Sequence, residues 1–415
     1  MTESKVLLLE IISAMKKPAK FTVEPYGRHD ALHIFADPIY DYDVDISDKN
    51  TIYFGAGTHE AGMIKLESNQ TLFIDEGAVV YGCISAADSE NIRIIGRGIL
   101  DNSHNKEKIL YSVNAEGNVA AVNNAERIHT VQLEYCTNVL IDGITIRDSL
   151  VYNIRPIGCK NLHINNIKAI GCWRYNSDGI DMHNCENVLI ENCFLRTFDD
   201  SICIKGFDFF AGENIKQAID EATYHNGSVY NRFTNAVIKN CTIWNDWGKC
   251  LEIGAETKAK EINNIVFEDC DIIHVTSQVL DCCNVDYAHV HDICFKNINI
   301  ELNEVIPEPV LQINDQQTYA SANTDYSPAV IEASVQYHAE YSAGSDERGK
   351  NSNIVYSDIN IIGEKKPKAA FYGVDENHAC ENVMINNLLI NGKPIASEDE
   401  LIKDVDAFCK NIKIQ

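Results

Sequence analysis

Four aspartates set the chemical question: Asp178 and Asp181 in one short segment, Asp199 and Asp200 in another. The segments DGIDM (178–182) and DSICI (200–204) share an alternating pattern, as do YNIRP (152–156), KCLEI (249–253) and QVLDC (278–282). Side chains two apart on a strand share a face. Aligned, the five put Ile154, Ile180, Ile202, Leu251 and Leu280 inward. One outward column then reads Tyr152, Asp178, Asp200, Lys249, Gln278, and the next reads Arg155, Asp181, Cys203, Glu252, Asp281. Carboxylates crowded this way cannot all ionise freely, so at least one is expected to hold its proton near neutrality. A proton-donating acid beside an ionised base is what glycosidic bond cleavage requires. The competing account is a solvated acidic face, or acids paired with Arg155 and Lys249. Focused on one face, the acids favour catalysis, with Asp178, Asp199 and Asp200 as its carriers. Substrate contacts are expected from Arg155, Asn176, Asp181, His183, Lys205, Lys249, Glu252 and Asp281, and from Trp173 and Trp247, whose rings are suited to stacking on sugars.

Such a face needs strands stacked in register, and a repeat supplies them. The pattern N-x-x-I/F, with near variants, starts at Asn91, Asn138, Asn161, Asn187, Asn235, Asn264, Asp292, Asn353 and Asn382. Single steps include 161−138 = 23, 187−161 = 26, 264−235 = 29 and 382−353 = 29 residues. Each repeat holds two or three short β-branched strands that cannot bury their apolar faces alone. Stacked as coils of a parallel β-helix, they can. Six residues past successive anchors lie Ile144, Ile167, Cys193, Cys241, Cys270 and Ile298, an inward column in which cysteine packs as a small apolar group. One residue earlier lie Gly143, Asn166, Asn192, Asn240, Asp269 and Asn297, a ladder of turn residues.

The expected fold is all-β, a right-handed parallel β-helix over residues 51–395. Residues 1–50 are expected to form an N-terminal cap or small β region, and 396–415 a C-terminal cap with an amphipathic helix in SEDELIKDVDAF (397–408). Insertions are expected at 101–127, 206–232 and 302–350.

Composition excludes several partners. With 61 acidic against 35 basic residues and a formal charge of −26, the chain lacks the clustered cations that nucleic acid and anionic membranes require. No apolar run is long enough to span a bilayer. The opening MTESKVLLLEIISAMKK lacks a basic leader, a full apolar core and a small-residue cleavage site. The 15 cysteines form no zinc-like pair of pairs, so a reducing cytoplasm is the expected compartment. His289-Val290-His291 lacks a third ligand at useful spacing, and no metal or cofactor is expected. The flanks of a solenoid permit side-by-side oligomers, but no interface is specified.

The motifs resemble those of glycoside hydrolase family 28, the polygalacturonases and their relatives. Asn176-Ser177-Asp178-Gly179 is similar to the family's N-T-D-G, and Asp199-Asp200 within FDDSICIKG to its Asp-Asp pair. The upstream segment 53–82 is similar as well, so the resemblance covers about residues 50–300. It implies a metal-free inverting hydrolase, with Asp199 as general acid and Asp178 and Asp200 activating water. The later motifs depart. Gly248-Lys249-Cys250 stands where the family has G-H-G, and Asp281-Cys282-Cys283 where it has R-I-K. The family's Arg and Lys grip a uronate carboxylate, which an Asp would repel. The expected substrate is therefore a neutral or weakly charged oligosaccharide. Galacturonide hydrolysis, a lyase or epimerase on the same scaffold, and a non-catalytic sugar-binding β-helix are the alternatives.

Overall fold

The computed structural model describes residues 18–104, 111–113, 119–121, 128–209, 214–302, 326–338, 342, 346–395 and 397–414. The opening segment 1–17, read above for leader features, lies outside them. The chain divides into two compact units, Met1–Asp45 and Ile46–Gln415. In the first, Ala19–Val23 and Leu32–Ala36 pair as an antiparallel hairpin.

The second unit is a parallel β-helix whose coils feed parallel stacks of strands. One stack carries the aligned acids. It runs through Val131–Glu134, Ile154–Ile157, Ile180–His183, Ile202–Lys205, Leu251–Ile253 and Leu280–Asn284. The register pairs Val131 with Ile154, then Ile180, Ile202, Leu251 and Leu280. All six side chains are fully buried. Each strand is short because its two ends must turn, and β-branched residues suit the pleat between. In a second stack, the Phe267 ring lies 4.7 Å from that of Phe295, which lies 5.0 Å from that of Tyr356, with the ring planes nearly parallel. Such ring pairs add about 0.5–1.5 kcal/mol beyond their burial.

The anchor residues explain the repeat. Asn91, Asn138, Asn161, Asn187, Asn235, Asn264, Asn353 and Asn382 all adopt φ between 55° and 61°. Asparagine reaches this left-handed region more readily than other residues with a side chain. Each then donates along the stack: Asn138 to Asn91 at 3.1 Å, Asn161 to Asn138 at 2.9 Å, Asn187 to Asn161 at 3.1 Å. The turn column beginning at Gly143 and Asn166 also has positive φ throughout. The cysteine–isoleucine column is buried, and all 15 cysteines are free thiols.

Two expectations are corrected. Segment 302–350 is not wholly an insertion. Ala329–Val335 continues the acid-bearing stack, pairing with Leu280–Asn284 on one side and Lys368–Tyr372 on the other. Polar flanking sequence hid the alternating IEASV within it. Segment 397–408 is not an amphipathic helix. The Ser397 N–H does donate to the Glu400 carboxylate and the Asp399 N–H to the Ser397 hydroxyl, but only the turn Glu398–Glu400 follows. Ile402–Val405 then pairs with Lys368–Phe371, because the last coil leaves a strand edge that backbone groups satisfy. Within 206–232 lie the helix Ile215–Thr223 and a small hairpin, Tyr224–His225 with Ser228–Val229. Within 101–127, Tyr111–Val113 pairs with Val119–Ala121. Among the described residues, no helix is long and apolar enough to cross a membrane.

Candidate active site

The acids sit at the entrances of two adjacent strands, and close backbone packing fixes them there. Asn176 turns the chain at φ 59°, and the Ser177 hydroxyl donates to the Arg174 carbonyl. Gly179 follows Asp178 because a Cβ there would lie 2.1 Å from the Ser201 carbonyl of the next coil. Gly248 plays the same part for the Asp pair: a Cβ would lie 2.6 Å from the Asp199 carbonyl carbon and the Asp200 nitrogen.

Two buried amides complete the scaffold. The Asn153 side chain donates to the Asp178 carbonyl at 2.6 Å. The Asn245 side chain donates to the carbonyls of Asp199 at 2.7 Å and Lys249 at 3.0 Å. Sequence reasoning missed both, because each lies outside the repeat's anchor positions.

Asp178, Asp199 and Asp200 converge, with one oxygen from each lying within 4.8 Å of the others. Asp178 and Asp199 are buried, while Asp200 is half-buried. The Asn176 N–H donates to Asp199 at 3.0 Å, and the Lys249 N–H to Asp200 at 2.9 Å. Asp178 Oδ1 has no hydrogen-bond partner among the described residues. Burial raises the pKa of Asp178 well above the usual carboxylate range, and the charges of Asp181 and Asp199 add to it. Asp199 is likewise raised, first by burial and then by Asp200, against the pull of the Asn176 N–H. The site thus holds proton-bearing carboxyls beside a more exposed one, the arrangement that acid–base hydrolysis needs.

The other expected contact residues divide into ion-paired clusters and aromatics. Lys205 is buried, with Nζ 2.9 Å from Asp181 and 3.4 Å from Glu256. Asp181 is fully buried and raised to about 6 by that burial, which the Lys205 charge only partly offsets. Lys249 bonds Glu252 and lies 2.6 Å from Asp281, and both acids are buried. His183 is buried too, its Nδ1 3.0 Å from the Gly206 carbonyl, and burial lowers it to about 4. Arg155 forms a two-pronged pair with Asp208 at 2.8 and 2.9 Å. Asp181, His183, Lys205, Glu252 and Asp281, expected to face substrate, are thus buried, and the exposed charged surface is smaller than the sequence suggests.

Half-buried Trp247 stacks on Phe198 with centroids 5.7 Å apart and meets Tyr175 edge-on at 5.5 Å, beside the Asp199 turn. Trp173 packs under the Arg174 guanidinium at 4.3 Å. Sequence reasoning also missed Glu332. It extends the Cys203, Glu252, Asp281 column by one coil, and burial, then Asp281, raises it to about 7.

Comparison with known proteins shows which family the chain resembles. Residues 50–411 match the family model described as glycosyl hydrolases family 28. A polygalacturonase of Gossypium barbadense is 28% identical over 311 residues, which cover 66% of this chain and 73% of that protein. A probable polygalacturonase of Vitis vinifera is 24% identical over 182 residues, 38% of this chain but only 37% of that protein's length. The crystal structure of a hyperthermoactive exopolygalacturonase from Thermotoga maritima superposes with a TM-score of 0.58 at 18% identity, covering 88% of this chain and 84% of that one. At that identity the likeness is one of fold, the right-handed parallel β-helix.

Proposed function

This chain belongs to glycosyl hydrolases family 28, a family of glycoside hydrolases, and we propose that it cleaves a neutral or weakly charged oligosaccharide with inversion at the anomeric carbon. Asp199 is the general acid. Asp178 and Asp200 hold and activate the water. The observation that carries the reading is the convergence of three carboxyl oxygens within 4.8 Å, two of them on buried groups whose hold on a proton burial strengthens. Asp199 gives its proton to the leaving oxygen as the glycosidic bond breaks. Water adds to the sugar and loses its proton to the opposing carboxylate.

The substrate class rests on Lys249. Its ammonium is held by Glu252 and Asp281, so it is already neutralised by acids. An incoming uronate carboxylate would have to displace these two acids from the one ammonium. Sugar hydroxyls meet no such penalty, and Trp247 offers a ring face for stacking. The same balance of charge disfavours lyase or epimerase chemistry, which needs a cation to neutralise the uronate. The 15 free thiols support a reducing compartment, and we assign the protein to the cytoplasm on that ground.

One observation favours a second reading of the stereochemistry. The acid oxygens lie within 4.8 Å of one another, closer than the about 6.5–9.5 Å carboxyl spacing of inverting enzymes. In that reading Asp178 or Asp200 attacks the anomeric carbon directly.

Both readings are tested by incubating the enzyme with neutral and uronic oligosaccharides and following the newly released anomer by proton NMR. Inverted anomer from a neutral sugar is the expected result. Retained anomer establishes the second reading, and faster cleavage of galacturonides than of every neutral sugar overturns the substrate class.

A further inference from the structure

The acid-bearing strands lead into the second stack, and the corner between the two carries polar side chains that the hydrolysis does not use. Glu261, His289 and Lys350 are in register at the start of that stack, and on the next coil Cys380 pairs with Asn351. Lys260, Tyr287, Arg348 and His378 each lie one or two residues before these strands, so four successive coils bring them to one corner. With Asp346 and Glu347 they line a cleft of about 460 Å³. Small-molecule sites run to about 300–1,000 Å³. The catalytic aspartates stand at the entrances of Ile180–His183 and Ile202–Lys205. The corner instead lies past the exit of Leu280–Asn284, two coils beyond Ile202–Lys205.

Close backbone contacts hold this corner in shape. The Gly349 N–H donates to the Asp286 carbonyl at 2.6 Å, and a Cβ on Gly349 would lie 1.8 Å from the Ala288 carbonyl oxygen. The Asp286 carboxylate is sealed, accepting the Thr257 N–H at 2.9 Å and lying 3.2 Å from Lys258 Nζ. Arg348 donates to the Val285 carbonyl at 2.7 Å, which ties its guanidinium to the coil before.

The lining mixes donors, acceptors and an aromatic ring. Tyr287 is half-buried, and among the described residues its hydroxyl and its ring have no partner. The exposed Lys260 ammonium forms no ion pair among them either. Asp375 holds His378 Nδ1 at 2.8 Å, which leaves Nε2 without a partner among the described residues. Asp346 and Glu347 are exposed acceptors. Burial, then Asp286 and Glu347, pushes the Tyr287 phenol up to about 12, so it keeps its proton and can donate.

Charge decides the class of ligand. An anion drawn by Lys260 and Arg348 meets Asp346 and Glu347 in the same cleft, and a cation drawn by the acids meets the two bases. An uncharged polyol satisfies both sets, because a hydroxyl donates to a carboxylate and accepts from an ammonium, a guanidinium or a phenol. The tyrosine ring adds apolar area for the C–H face of a sugar. We propose that this corner is a second carbohydrate site, separate from the catalytic acids, that binds a neutral sugar without cleaving it.

The inference does not depend on the hydrolase reading, and the experiment keeps the two apart. Full-length Asp199→Asn protein is titrated calorimetrically with cellohexaose, xylohexaose and maltohexaose, and with hexagalacturonate and inorganic phosphate. At least one neutral hexasaccharide is expected to bind, and adding Tyr287→Ala is expected to weaken that binding by about tenfold or more, a loss of about 1.4 kcal/mol. Lys260→Ala is expected to weaken it several-fold, and because Lys260 is exposed this variant keeps the test open if Tyr287→Ala does not fold. Neutral-sugar binding that is absent, or that neither substitution changes, overturns the site. Loss of hexagalacturonate or phosphate binding instead overturns its ligand class. With Asp199 intact, Tyr287→Ala is expected to keep the wild-type kcat, and a fall in kcat would show that the corner belongs to the catalytic site. A Tyr287-dependent site in a wild-type chain that hydrolyses none of these sugars would count against the hydrolase reading and leave this inference standing.

Discussion

The ammonium of Lys205 lies 2.9 Å from a carboxylate oxygen of Asp181, and both groups are sealed from solvent. Asp181 in turn raises Asp178. A single buried cation therefore sets how readily the acids beside it ionise. In Lys205→Met every neighbouring carboxyl holds its proton more tightly, so the acidic limb of the kcat/KM profile moves to higher pH. Lys205→Arg restores the charge and is expected to return the limb toward wild type. Breaking the pair also costs about 3–5 kcal/mol of stability, because Asp181 is left buried without its counter-ion. An unshifted profile in a folded Lys205→Met protein would show that the cation only supports the fold.

Gly248 presses against the Asp199–Asp200 peptide. Gly248→Ala forces that peptide aside by a sizeable fraction of an ångström. Displacement of this order costs about 100-fold in rate, and overpacking costs about 1–3 kcal/mol in stability. Steady-state kinetics and urea unfolding on the same preparation read both. Unimpaired kcat would mean that the acids tolerate the shift.

Asn187 combines φ 58° with amide bonds to Asn161 and from Asn235. Asn187→Ala loses the bonds and strains the backbone, at about 1–2 kcal/mol for the left-handed conformation alone. Asn187→Gly loses the bonds but relieves the strain, so it is expected to be the more stable variant. Denaturant midpoints rank the two, and the reverse order would remove backbone conformation as the reason for the repeat.

Stability is expected to fall as pH rises from about 6.5 to 8. Burial raises the folded pKa of Asp178, Asp199 and Glu252 well above their usual range, and of Glu332 to about 7. Above their unfolded values these groups bind more protons folded than unfolded, so stability drops with pH through the window. His183 and His289 act with the opposite sign, but with folded values of about 4 their contribution is complete by about 6.5, the unfolded value. Calorimetry across this range should give a declining midpoint, and a shallower decline in Glu332→Gln. A rising midpoint would contradict the burial of protonated acids.

The column alignment of the sequence matches the register of the structure from Ile154 to Leu280, because a fixed alternation leaves one way to bury the apolar face. Ion pairing was less legible. Lys205 and Lys249 read as groove residues, but strand alternation says which face a side chain takes and not how deeply neighbouring coils bury it. Glu332 was hidden because the segment around it is polar, and periodicity is weak over a single seven-residue strand. Ser397 and Glu400 carry a sound helix-start signal, which the open edge of the last coil overrode.

The central claim is that Asp199 donates the proton. It is tested most directly by comparing hydrolysis rates of wild type and Asp199→Asn on the best oligosaccharide, with far-ultraviolet circular dichroism to verify the fold. Removing a general acid costs about 100- to 10,000-fold. A loss in that range, largely in kcat, is expected for a leaving group that needs protonation, with much of the rate recovered on an aryl glycoside whose leaving group does not. Wild-type turnover of the oligosaccharide by a correctly folded Asp199→Asn protein would contradict the account.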